Sequence, residues 1–197
     1  MSEPARRAQD GWSHPRPPAP GGLATVQMFV NSDDMEDGTD EYATPEGVTR
    51  WLRAANLLRA RESADERDRR AAVELRGALR TILLANHDGA RVDERARRVL
   101  EQAGRAAGLE ARFGGSEGAQ LRPTAGGVTG ALGVVVAAVY DAMRDGTWAR
   151  MKVCRNDECQ WAFYDHSRNR SGAWCQMETC GVQAKMRTYR DRQAKQR

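Results

Sequence analysis

The chain has 197 residues, 40% hydrophobic and 29% charged, with a net charge of +4 and a mean hydropathy of −0.72. That size allows one ordinary domain plus a small appended module. No run reaches the roughly 18–20 apolar residues a membrane-crossing helix needs, and the N-terminus lacks the apolar core of a secretory signal, so no membrane partner is expected. The expected compartment is a reducing cytoplasm, where clustered cysteines bind metal more often than they form disulfides.

Residues 1–22 hold five of the seven prolines and no periodic apolar pattern, which predicts a disordered tail. The run Val26-Gln-Met-Phe-Val30 that follows suits either a strand or the start of a helix. Asp33, Asp34, Glu36, Asp37, Asp40 and Glu41 come next, without the regular spacing of a calcium loop, and read as a solvated loop.

Thr44-Pro45-Glu46 is a helix start, combining a capping hydroxyl, a first-turn proline and an acid at the positive end of the dipole. Val48, Trp51, Leu52, Ala55 and Leu58 then repeat at helical spacing. A second helix is predicted from Asp65 to about Asn86, and a third from about Val92 to Ala107, ending at Gly108. Leu109, Ala111 and Phe113 alternate with charged residues ahead of a glycine-rich turn, which predicts a short β-hairpin.

A fourth helix, about Val128 to Arg144, is apolar nearly all round and is expected in the middle of the domain. Glycines 126, 127, 130 and 133 fit no phosphate-binding fingerprint and read as close helix packing. His14 and His87 have no partners at metal or catalytic spacing and read as surface residues. Asp145-Gly146 closes the helix, and Trp148 to Val153 leads on as an extended segment. The predicted organisation is a helical domain over 23–147 and a small module over 148–197, packed together with little linker.

All four cysteines lie in that module, as Cys154-x4-Cys159, fifteen residues, then Cys175-x4-Cys180. Zinc takes four tetrahedral ligands and favours thiolates in structural sites. The pattern favours one structural Zn2+ over two disulfides, a redox pair or an iron–sulfur cluster. Trp161-Ala-Phe-Tyr164 is strand-like, 165–172 is a polar loop, and Trp174 returns the chain to Cys175, which suggests a hairpin. His166 is read as a loop residue, because four cysteines already close the site. A knuckle, a hairpin and a helix carrying the last ligand give a treble-clef-like order. The expected fold is mainly α with a small β-hairpin.

A site closed by four thiolates leaves no position for a reacting water, and no nucleophile–base pair occurs elsewhere, so no enzyme is expected. Charge points instead to a polyanion. From Arg150 to Arg197 there are eleven Lys/Arg against five Asp/Glu, a net of +6, while the rest of the chain carries −2. On the terminal helix, Val182, Met186 and Tyr189 form a narrow stripe expected to pack, with cations on both flanks. Arg168, Arg170, Lys185, Arg187, Arg190 and Arg192 are the candidate contacts to double-stranded DNA, mainly through phosphates. The alternatives are an adaptor whose basic helix docks an acidic protein, and RNA binding through stacking on Trp161, Tyr164 or Trp174.

Trp161, Phe163, Asp165, Ser167-Arg-Asn-Arg, Trp174-Cys175, Cys180-Gly181 and Ala184-Lys185 together resemble the CGNR zinc finger. Upstream, Phe29-Val30-Asn31-Ser32 and the Pro45–Leu58 helix resemble the helical ABATE domain that usually precedes that finger. The resemblance covers roughly residues 24–192 and implies a bacterial transcriptional regulator with a zinc-bound, DNA-binding finger. It also implies that Cys154, Cys159, Cys175 and Cys180 are the metal ligands. The helical domain would then sense a signal or mediate association with a protein partner or a second copy. One departure stands out, because the family's Cys-Gly-Asn-Arg reads Cys180-Gly181-Val182-Gln183 here. DNA specificity is the property this departure bears on.

Overall fold

A computed structural model of the chain describes residues 17–114 and 118–195. Most of the disordered tail expected for 1–22, and His14, lie outside the described residues. The tail's last residues belong to the fold, however. Ala19 is buried, and its N–H donates to Gln27 Oε1 at 2.7 Å.

The open choice at Val26–Val30 resolves as helix α1, Leu23–Val30, with Leu23, Val26, Phe29 and Val30 all buried. A two-residue antiparallel pair follows, β1 (Asp33–Asp34) with β2 (Thr39–Asp40), and it corrects the reading of the acidic stretch as a merely solvated loop. Arg76 is buried and grips Asp40 with two bonds, Nη1 to Oδ1 at 2.6 Å and Nη2 to Oδ2 at 2.8 Å. Arg80 Nη1 bonds Asp33 Oδ2 at 2.7 Å, and its Nη2 also reaches the carbonyls of Val30 and Asp33. Asp33 and Asp40 are cross-strand neighbours, so two carboxylates are set side by side and neutralised by two arginines from one helix.

Helix α2, Pro45–Ala54, starts at Thr44, whose hydroxyl accepts from Gly47 N–H at 3.2 Å. It ends four residues before Leu58, and Leu58 is nevertheless buried. Helix α3, Glu66–Ala85, carries a complete capping box between Asp65 and Asp68, and helix α4, Glu94–Ala106, is capped by Asp93. Phe29, Tyr42 and Trp51 form an aromatic triad with centroids 5.5–5.8 Å apart, joining α1, the β1–β2 segment and α2.

The expected hairpin is present as β3 (Leu109–Arg112) paired with β4 (Gln120–Pro123). Helix α5, Gly127–Asp145, lies against α1, α3, α4 and β4 and is stopped by left-handed Gly146. A side chain at Gly133 would meet Ala107 Cβ at 2.4 Å and Pro123 Cβ at 3.1 Å, so glycine lets the α4 end and β4 approach the helix. Although α5 is long and apolar enough to pass as a membrane span, about half of it is buried within the protein. It is not buried all round, because Tyr140 and Met143 are exposed.

The extended segment expected from Trp148 begins instead as a 3-10 turn, Thr147–Arg150, followed by β5, Met151–Val153. The partner of β5 is β6, Ala162–Tyr164, in register Met151–Tyr164, Lys152–Phe163 and Val153–Ala162. The strand-like Trp161–Tyr164 run therefore pairs upstream, around the first cysteine pair. The anticipated pairing toward Trp174 does not form, and 165–174 is a loop among the described residues.

Met151, Val153 and Ala162 belong to the same apolar core as the helices, whereas Cys154, Cys159, Trp161 and Cys180 form a second, separate cluster. Asn86 at the end of α3 donates to the carbonyls of Trp148 and Met151 at 3.0 and 2.8 Å. His87 corrects its surface reading. It is half-buried, and its Nε2 lies 2.6 Å from the Val153 carbonyl, a contact that requires the ring nitrogen to donate.

Candidate metal centre

The β5–β6 ladder extends one step into the knuckle, where Cys154 N–H donates to Trp161 O at 2.9 Å. Residues 154–159 thus form the tip of this hairpin. The turn closes on Asn156, whose carbonyl accepts from both Cys159 and Gln160 N–H at 2.9 Å, with Gln160 in the left-handed region at φ 45°. Arg155 N–H donates to Ala173 O at 3.0 Å and draws the end of the loop against the knuckle, which places Cys175 beside it.

Cys180 lies in a π turn, Met177–Gly181, that runs directly into helix α6, Val182–Lys195. Met177 and Trp174 pack closely on Gly181, where a Cβ would lie 2.4 Å from Met177 Sδ and 3.2 Å from Trp174 Cδ1, so a larger residue would displace the Met177 side chain. A knuckle on a hairpin, with the second pair entering a helix, is the treble-clef-like arrangement.

The four sulfurs lie within 4.8 Å of one another, with Cys159–Cys175 and Cys175–Cys180 both at 3.6 Å. Tetrahedral zinc–thiolate bonds of about 2.3 Å place sulfurs about 3.8 Å apart, whereas a disulfide needs about 2.05 Å. The arrangement therefore fits one zinc ion and no disulfide. Cys154, Cys159 and Cys180 are buried and Cys175 is half-buried, with Trp161 and Trp174 packed against them.

Hydrogen bonds from Cys159 and then Cys175, working against burial, draw the Cys154 thiol down to about 2. The hydrogen bond with Cys154 pushes Cys159 the other way. Zinc binds cysteine as the thiolate, so a divalent cation among these sulfurs favours their ionised forms.

Two polar residues that the motif reading did not single out organise the surroundings. Asn156 is buried. Its Nδ2 donates to Cys180 Sγ at 3.7 Å and to Gln183 Oε1 at 3.1 Å, and its Oδ1 accepts from Arg187 Nη2 at 2.9 Å. Gln183, at the family's final signature position, therefore braces the knuckle.

Lys152 is likewise buried, on β5, and its Nζ bonds Asp165 Oδ2 at 2.8 Å and the Gly172 carbonyl at 3.3 Å. Asp165 also accepts from Ser167 and Gly172 N–H at 3.0 and 2.7 Å, which folds the polar loop around one buried ion pair. A charged residue amid the apolar run Met151–Val153 was the only signal of this role in the sequence.

Several of the module's cations are thus committed internally. Lys152 holds Asp165, Arg150 Nη1 donates to the carbonyls of Asp165 and Ser167, Arg155 pairs with Asp88, and Arg187 binds Asn156. The other candidate contacts, Arg168, Arg170, Lys185, Arg190 and Arg192, are exposed. Trp161 is buried, which removes it as a stacking platform for unpaired bases.

The stripe of α6 also departs from expectation. Val182, Met186 and Tyr189 were expected to pack and are instead 42%, 58% and 65% exposed.

Comparison with known families agrees with this geometry. The model of the CGNR zinc finger matches residues 150–193, and the ABATE model, described as "Putative stress-induced transcription regulator", matches residues 23–146, more than half of the chain. These are regulator and zinc-finger families, not enzyme families. No curated protein matches the chain.

Proposed function

Because this chain belongs to the ABATE family and carries a CGNR zinc finger, we propose that it is a transcriptional regulator that binds double-stranded DNA through the finger and α6. The observation that supports this most is the placement of cations. A buried thiolate site anchors a helix at Cys180, and that helix projects exposed Lys185, Arg190 and Arg192 while using Arg187 to brace its own base. Arg168 and Arg170 add charge from the neighbouring loop. The zinc has a structural role, because four cysteine ligands leave no open position.

Packing of β5 and β6 into the helical core offers a route for coupling. A change around α1 or the end of α3 would bear on the strands that carry the knuckle.

The test is a titration of duplex DNA at several salt concentrations. Each phosphate contact contributes about −0.9 to the slope of log affinity against log salt. Joint replacement of Lys185, Arg190 and Arg192 by Gln is expected to make that slope shallower by about 2–3. Unchanged affinity and slope in the triple variant would sink the proposal.

A further inference from the structure

The apolar stripe on α6 is exposed among the described residues, and its position relative to the charges narrows what can cover it. At about 100° per residue, Val182, Met186 and Tyr189 fall within about 60° of one another. Exposed Gln193 lies in the same sector. Lys185 and Arg192 lie on one side of the stripe and Arg190 on the other, each within about 90° of its centre. Gln183 and Arg187, which hold the helix to Asn156, are centred about 110° away, so the anchored face and the stripe point in different directions.

Pairing this stripe with that of a second copy would bring Lys185, Arg190 and Arg192 of both chains together, with Asp191 the only acid on either helix. A membrane surface calls for a broad apolar face, whereas this one is narrow and contains Gln193. The major groove of DNA satisfies both features. Its phosphates flank the base edges on either side, and the apolar group presented between them is the thymine C5-methyl. From Val182 to Tyr189 the helix rises about 10 Å, which matches about three base-pair steps.

We infer that Val182, Met186 and Tyr189 form a base-reading edge that contacts thymine methyl groups in the major groove and gives the protein a preference for thymine-containing sites. The inference rests on the DNA-binding reading above and assigns direct readout to residues other than the phosphate-contacting cations.

Uracil differs from thymine only in lacking that methyl, so the test compares a short duplex of alternating A·T pairs with the same duplex built from A·U. The wild-type protein is expected to bind the A·T duplex more tightly, by about fourfold for each methyl it buries. The double variant Val182→Ser/Met186→Ser, which leaves only Tyr189 of the stripe, is expected to lose most of that preference while keeping the wild-type salt slope. Both positions are exposed, and an unchanged zinc content would confirm that the variant finger is folded.

Equal wild-type affinity for the two duplexes, with duplex binding intact, overturns the methyl-reading inference and leaves the DNA reading standing. No binding to either duplex overturns both. Absence of A·T preference together with stripe-dependent binding to vesicles of phosphatidylglycerol and phosphatidylcholine assigns the stripe to lipid and overturns it as well.

Discussion

Asn31 and Ala162 are joined by two hydrogen bonds although 131 residues separate them. The side-chain Oδ1 accepts from Ala162 N–H at 2.7 Å, and Nδ2 donates to its carbonyl at 3.0 Å. Asn31 lies just past the end of α1, and Ala162 opens β6, so this pair ties the helical part of the chain to the strand that supports the metal knuckle. Gln27 Nε2 adds a second donor to the same carbonyl at 3.3 Å.

Replacing Asn31 by Ala is expected to strand the buried N–H of Ala162, which costs about 1–3 kcal/mol. Chemical denaturation would read the loss. Amide exchange should accelerate most at β5 and β6, where the restraint is removed. An equal increase spread over all the helices would argue against a local link.

The Asp40–Arg76 pair makes a prediction about acid. Burial raises the Asp40 pKa, but the bonds from Arg76 and from Tyr42 N–H outweigh it and hold the carboxyl below its ordinary value. A depressed folded-state pKa contributes stability that is complete above the unfolded value of about 3.9 and is lost as pH falls through the folded one. Asp40→Asn is expected to destabilise the protein near neutrality by about 2–3 kcal/mol, because it leaves the buried Arg76 without its main counter-charge. Urea midpoints measured from pH 6 downward should then converge with those of the wild type in acid. Parallel curves would contradict the assignment.

Metal content tests the second cluster. Purified protein is expected to hold one zinc per chain, and Cys175→Ser to lose most of it. Asn156→Ala, which removes the amide donor to Cys180 Sγ, should weaken zinc by about 10–100-fold in competition with a chromogenic chelator. Lys185→Ala, exposed on the same helix, should leave zinc affinity unchanged. Indistinguishable zinc affinities for Asn156→Ala and the wild type would show that this amide contributes nothing to the site.

Elements governed by neighbouring residues were legible before any coordinates. Thr44-Pro45 and Asp65 start their helices where the sequence placed them, and Gly146 ends α5, because a cap involves groups only a few residues apart. Two of the misreadings depended on distant partners. The acidic stretch looked solvated because Arg76 and Arg80, 36 to 47 residues away, were not visible as its counter-charges. His87 looked like a surface residue because its partner is a backbone carbonyl 66 residues on.

The sequence by itself determined the helical class and the zinc centre. Thiolate spacing is a local property, and zinc chemistry accepts few other arrangements. Only the tertiary structure decided which polar residues are structural and which surfaces are free. It committed Lys152, Asn156 and Gln183 to holding the finger together, and it left Val182, Met186 and Tyr189 uncovered. The physical reason is that helical periodicity records which residues share a face, whereas burial depends on what the rest of the chain places against that face.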